Sequence, residues 1–122
     1  MKIRIKGNSI RFRLTKTEVE NFAANGILEE RTEFGNNHLL YRLKKSSEFQ
    51  IPTAQFIANE ITLLIPSAIA DNWTTTELIG FEHKMDIGND KKLFLLVEKD
   101  FVCLDNTFED QSDNFPNPNA IC

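Results

Sequence analysis

Apolar and polar positions alternate strictly over Lys2-Ile3-Arg4-Ile5-Lys6 and again from Ser9 to Leu14, with Gly7-Asn8 between them, which predicts a β-hairpin. A helix is predicted next. Thr15 and Thr17 mark its start, with Glu18 three residues after Thr15 as in a capping box; Val19, Phe22 and Ala23 give helical spacing, and Asn25-Gly26 ends it. Two further strands, Ile27 to Phe34 and Leu39 to Lys44, are predicted to pair across Gly35-Asn36-Asn37.

The plan then recurs. Gln55 to Ala58 and Ile61 to Ile65 form a hairpin around Asn59-Glu60, Pro66-Ser67 opens a short helix carrying Ile69, Ala70 and Trp73, and Leu78 to Ile87 pairs with Lys92 to Glu98 across Gly88-Asn89-Asp90. A shift of 51 lays Asn8 on Asn59, Ile10 on Ile61, Leu14 on Ile65 and Phe22 on Trp73; after a two-residue insertion, a shift of 53 lays Gly35-Asn36 on Gly88-Asn89. The reading is one domain, 1–122, made of repeat one at 1–45, repeat two at 53–100 and a C-terminal tail at 101–122. The expected fold is α+β: a duplicated ββαββ unit forming a mainly antiparallel eight-stranded sheet, barrel-like, with both helices on its apolar face. Closure would remove exposed edges. An open sheet with both helices on one face is the competing layout.

Composition narrows the class. With 122 residues, 41% of them hydrophobic and ten phenylalanines, the chain can build a core without disulfides or structural metal. Its longest uninterrupted apolar stretches are too short to cross a bilayer, so no membrane partner is expected. Residues 1–100 hold all 14 Lys and Arg and 14 of the 18 acids, so the net charge of -4 belongs to the tail. A sequence pI near 5.2 argues against nucleic acid as a general partner. Because the start alternates charge with isoleucine where a secretion signal needs an apolar run, a cytoplasmic location is expected.

The opening MKIRIKGNSIRFRLTKTEV, the Leu-Val-Glu-Lys-Asp-Phe-Val-Cys-Leu run at 96–104 and the Phe-Pro-Asn-Pro near the end resemble a small uncharacterised bacterial family, a domain of unknown function spanning the whole chain. The resemblance implies no activity. In topology alone, a duplicated unit of one helix and several strands is similar to the CYTH-like tunnel phosphatases, where charged side chains line a channel holding polyphosphate and a divalent metal. Those enzymes begin with an alternating Glu-x-Glu-x-Lys strand. This chain has Lys2-Ile3-Arg4-Ile5-Lys6 there, so their metal-dependent hydrolysis does not carry over.

Period two also gathers charge onto strand faces. Lys2, Arg4 and Lys6 share one face, as do Arg11 and Arg13, then Glu29, Arg31 and Glu33, then Arg42 and Lys44, then Glu82, Lys84 and Asp86. Inside a closed barrel these faces would line a basic lumen that selects anions; on an open sheet they are a solvated surface of weak ion pairs. The candidate anion contacts are Arg4, Lys6, Arg11, Arg13, Arg31, Arg42 and Lys84, with Glu29, Glu33, Glu82 and Asp86 as supporting carboxylates. Non-catalytic binding of a small phosphate- or carboxylate-bearing ligand is the first functional reading. The others are a protein-interaction module using the acidic tail or a sheet edge, and a metal-dependent phosphohydrolase with carboxylates at Glu29, Glu33, Glu82 and Asp86.

Other chemistry has little support. His83 falls on the apolar register with Phe81 and Met85, His38 lies beside a turn, and neither is placed with a Ser or Cys as nucleophile and base. There is no Gly-rich phosphate loop, no C-x-x-C pair, and no cofactor or metal is expected. Cys103, between Val102 and Leu104, reads as a small buried apolar residue, and Cys122 as the chain end. The tail, with Asp105, Glu109, Asp110 and Asp113 interrupted by Phe101, Phe108, Phe115 and Ile121, reads as a segment that docks its aromatics on the body, its carboxylates near the basic strands.

Overall fold

The computed structural model describes residues 1–101 and 112–116. Its elements run β1 (Lys2–Lys6), β2 (Ser9–Leu14), α1 (Lys16–Asn25), β3 (Ile27–Glu33), β4 (His38–Ser46), β5 (Thr53–Ile57), β6 (Glu60–Pro66), α2 (Ser67–Thr75), β7 (Gly80–Gly88) and β8 (Lys91–Lys99). The order ββαββ thus occurs twice, as the alternation of the sequence predicts. Helix α1 is capped as expected: Thr15 and Glu18 form a reciprocal capping box, and Gly26, at φ 74°, donates its N–H to the Phe22 carbonyl at 2.8 Å. The β5–β6 hairpin turns at Ala58-Asn59, one residue earlier than predicted, with both residues at positive φ.

Strand pairing departs from the expected single antiparallel sheet. There are two four-stranded mixed sheets, one in the order β1-β2-β8-β7 and one in the order β3-β4-β6-β5. Each consists of two antiparallel hairpins, one from either half of the chain, joined by a parallel pair: β2 with β8, and β4 with β6. Parallel neighbours need a long connection: between β2 and β8 it runs through both helices and the whole of the other sheet, and between β4 and β6 it runs through residues 47–52 and the β5 strand of their own sheet. A strand's alternation is the same in either pairing sense, so the sequence pattern does not distinguish them.

The sheets do not close into a barrel. Their apolar faces are turned toward each other, and Phe12 of one stacks on Tyr41 of the other with ring centroids 6.2 Å apart. The helices, expected to cover an apolar sheet face, sit instead at one end of the sandwich, where β2 and β6 finish and β3 and β7 begin. There Phe22 and Trp73 meet with centroids 6.3 Å apart, Phe81 meets the Trp73 ring edge-on, and the indole N–H donates to the Ile79 carbonyl at 3.0 Å. Phe12, Leu14, Leu43, Leu63, Ile65, Leu95 and Val97 complete the fully buried core. The four hairpin turns lie at the opposite end. Along the two seams the sheets are joined by isolated contacts: Tyr41 Oη donates to the Met1 carbonyl at 3.2 Å, and the Ala54 N–H reaches the Met85 Sδ at 3.3 Å.

A charged lumen is therefore replaced by two charged outer surfaces. The physical reason is volume: side chains such as Phe12, Tyr41, Leu63 and Leu95 fill the space between the sheets, and enclosing arginines there would cost far more than enclosing these.

Candidate functional site: a basic cleft on the first sheet

On the outer face of the β1-β2-β8-β7 sheet, side chains stand in rows across the strands. One row is Lys2, Arg13, Glu98 and Gly80; the next is Arg4, Arg11, Leu96 and Glu82; the third is Lys6, Ser9, Phe94 and Lys84. The second and third rows enclose a cleft of about 200 Å³. Arg4, Lys6 and Arg11 form its basic side, Phe94 and Leu96 its apolar floor, and Glu82 its far side, with Ser9 and Ile10 at the end. The β1–β2 hairpin is tied over β8 by the Asn8 side chain, which donates to the Lys92 carbonyl at 2.6 Å, and by the Asn8 carbonyl, which accepts from the Phe94 N–H at 2.9 Å.

The register sets Arg4 opposite Arg11 and Lys2 opposite Arg13. Like charges facing each other across antiparallel strands are destabilising, and the sheet offsets part of this internally. Glu98, only 3% exposed, accepts from Arg13 Nε at 3.0 Å and Nη2 at 2.7 Å, and lies 3.5 Å from Arg11 Nε. Lys2 reaches Asp100 at 3.0 Å.

The predicted anion contacts do not share one site. Arg4, Lys6 and Arg11 line the cleft with Glu82; Arg13 lies beside it, committed to Glu98; Lys84 is on the same face but outside the cleft lining. Arg31 and Arg42 lie on the outer face of the other sheet. Arg42 there is held by Glu29 at 3.3 Å, Glu60 at 2.9 Å and the Thr62 hydroxyl at 3.0 Å, while Arg31 stands 3.8 Å from Glu33. Asp86 pairs with Lys92 and accepts from the Gly88 N–H; that backbone hydrogen bond, then the Lys92 charge, holds its carboxyl below the ordinary range. The four carboxylates named for a metal thus lie on two different surfaces, and among the described residues no three His, Cys, Asp or Glu side chains converge as metal ligands.

Phe94 and Leu96 were not among the candidates. Their signal is the uninterrupted run Leu93 to Val97: a strand apolar on both faces has both faces covered or in use, and its outward residues become the cleft floor. His83 occupies the inward register opposite Leu95, as predicted. Cys103, Cys122 and most of the acidic tail lie outside the described residues. Within 112–116, Phe115 is exposed, while Phe101 lines a groove with Val19, Thr74 and Lys99 beside the helices. Among the described residues no helix is long and apolar enough to cross a membrane.

No curated protein and no solved structure matches the chain. A family model does, over residues 1–119: the chain belongs to the family of unknown function DUF7009.

Proposed function

We propose that this protein binds a small anionic ligand, phosphate- or carboxylate-bearing, in the cleft of Arg4, Lys6 and Arg11, without catalysis. We also read the two ββαββ halves as copies of one unit, and that comparison carries the proposal. The β1–β2 and β5–β6 hairpins have the same register displaced by 51 residues: Arg4 opposite Arg11 in one, Gln55 opposite Thr62 in the other. At the positions equivalent to Lys2, Arg4, Lys6, Arg11 and Arg13, the second hairpin has Thr53, Gln55, Ile57, Thr62 and Leu64. This hairpin fold is built without a single charge at those places. The basic cluster is a property of one half, maintained despite the cost of opposing like charges, which a bound anion offsets.

Arginine at two corners suits bidentate capture of carboxylate or phosphate oxygens, and the Phe94–Leu96 floor accepts an apolar portion of the same molecule. The test is a thermal-shift series with phosphate, pyrophosphate and dicarboxylates at matched ionic strength. Ligand at 100 times its Kd adds ~2.7 kcal/mol, a shift of several degrees in a domain of this size. Arg4→Ala and Lys6→Ala, both at exposed positions, should abolish a selective shift while changing the unliganded stability by no more than the ~0–1 kcal/mol of surface charge contacts. Arg11 and Arg13 are poor choices for this test because they neutralise Glu98. A selective shift that survives both substitutions, or no shift with any anion, would remove the proposal.

A further inference from the structure

At the end of the sandwich away from the helices, the sheets stand apart. The gap between their inner faces is a cavity of about 470 Å³, reached from solvent and lined by Ile5, Ile10, Phe56, Ile61, Met85 and Leu93 among others. Its lining is apolar but for Gln55. Around the mouth, Ile5 is 57% exposed, Phe56 70% and Ile87 45%, which leaves apolar surface in water where a closed sandwich would bury it. The volume lies within the ~300–1,000 Å³ of small-molecule sites, which are concave, mainly apolar and equipped with few polar groups.

The cavity adjoins the basic cleft. Ile10 lines both, and in β1 the inward Ile5 of the cavity is followed directly by the outward Lys6 of the cleft, at the tip of an edge strand. A molecule filling the cavity leaves it beside that cationic tip. We infer that the cavity holds the acyl chain of a single fatty acid, with its carboxylate at the mouth against Lys6. The head-group assignment rests on the anion-binding reading above; the acyl site rests on the cavity alone. A free fatty acid rather than a bilayer is the occupant because the apolar lining is recessed between two sheets rather than raised on a surface.

The chain contains two methionines, Met1 and Met85. Met85 lines the cavity, whereas Met1 is buried in the core and contacts Glu18, Glu30 and Tyr41. Labelling both methyl groups with ¹³C and titrating decanoate, decanol and butyrate should therefore move the Met85 resonance with decanoate and decanol, leave Met1 unmoved, and show little response to butyrate. Ile87→Trp, at an exposed mouth position, should weaken decanoate at least about tenfold. Lys6→Ala should weaken decanoate about fivefold and leave decanol unchanged. No movement of Met85 with decanoate, while pyrophosphate still stabilises the protein, would overturn this inference and leave the anion site standing. Decanoate binding blocked by Ile87→Trp but indifferent to Lys6→Ala would overturn the head-group assignment. Co-sedimentation with anionic vesicles in place of monomer binding, or an Ile87→Trp effect confined to self-association in sedimentation velocity, would overturn the choice of occupant.

Discussion

Removing Arg13 tests how the basic face is held together. Glu98 is 3% exposed and takes two short hydrogen bonds from Arg13, at 3.0 and 2.7 Å, with Arg11 Nε as a more distant second cation at 3.5 Å. Breaking a buried ion pair from one side costs ~3–5 kcal/mol because a charge is left uncompensated. Two features reduce that figure. Arg13 is itself 34% exposed, so water screens part of the attraction, and Arg11 remains to take over the carboxylate. Arg13→Ala should therefore cost ~2 kcal/mol, or ~6–8 °C in Tm for a domain of this length. Urea denaturation followed by Trp73 fluorescence measures it, since this is the chain's one tryptophan and it is buried in the core. Arg31→Ala is the control: its partner Glu33 is 3.8 Å away and both are more than half exposed, so the loss should stay below ~0.5 kcal/mol. Glu98→Ala should cost more than Arg13→Ala, because Arg11 and Arg13 both lose this carboxylate while still facing Arg4 and Lys2 across the strands. Added salt should recover part of the Glu98→Ala deficit by screening that repulsion. If Arg13→Ala proves as mild as Arg31→Ala, or if salt lowers the Glu98→Ala variant relative to the parent, the charge argument for this face is refuted.

Thermal stability should also form a plateau in pH. Burial raises the Glu18 carboxyl, but hydrogen bonds from the Met1 ammonium and from Thr15 outweigh it and hold the group below its ordinary 4.5; stability from this pairing is present above 4.5 and lost as pH falls through the lowered value. Burial likewise opposes the Met1 ammonium, but Glu18 and Glu30 hold its pKa above 8.0, so its contribution is complete below 8.0 and lost as pH rises through the raised value. Calorimetry on Glu18→Gln should show both flanks flattened, and unchanged flanks would count against the pairing. Gly80→Ala should destabilise by ~1–3 kcal/mol, because a Cβ there would lie 2.5 Å from the Val97 carbonyl oxygen in a β7–β8 ladder that cannot yield cheaply; equal urea midpoints would contradict the register. Ala58→Gly should stabilise by ~0.5–1 kcal/mol, since Ala58 sits at φ 51° in a tight turn where a Cβ is strained, and a lower midpoint would contradict that turn.

The contrast between what the sequence disclosed and what it concealed follows from the range of the interactions involved. Strand alternation, the Thr15–Glu18 cap and the Gly26 terminator are local, and they place all eight strands and both helices. Which residues share a face is local too: the rows containing Arg4, Arg11 and Lys6 follow directly from period two. The direction in which a face points is not local. It depends on Phe12 finding Tyr41 across the sandwich, and on β2 pairing with β8 from the far end of the chain. Had β2 paired with β3 as a sequential meander, the same alternation would have served one continuous sheet. Pairing each early hairpin with a late one instead makes two sheets, and each then needs cover for one apolar face. The other sheet supplies it, which sends the charges outward and frees the helices to plug one end. The opposite end has no helix to plug it, and four hairpin turns cannot fill the space that Phe22 and Trp73 fill at the first. The inter-sheet cavity and the outward basic cleft are thus two results of a single pairing choice, and they meet at β1 because that strand carries isoleucine inward and lysine or arginine outward along the edge between them.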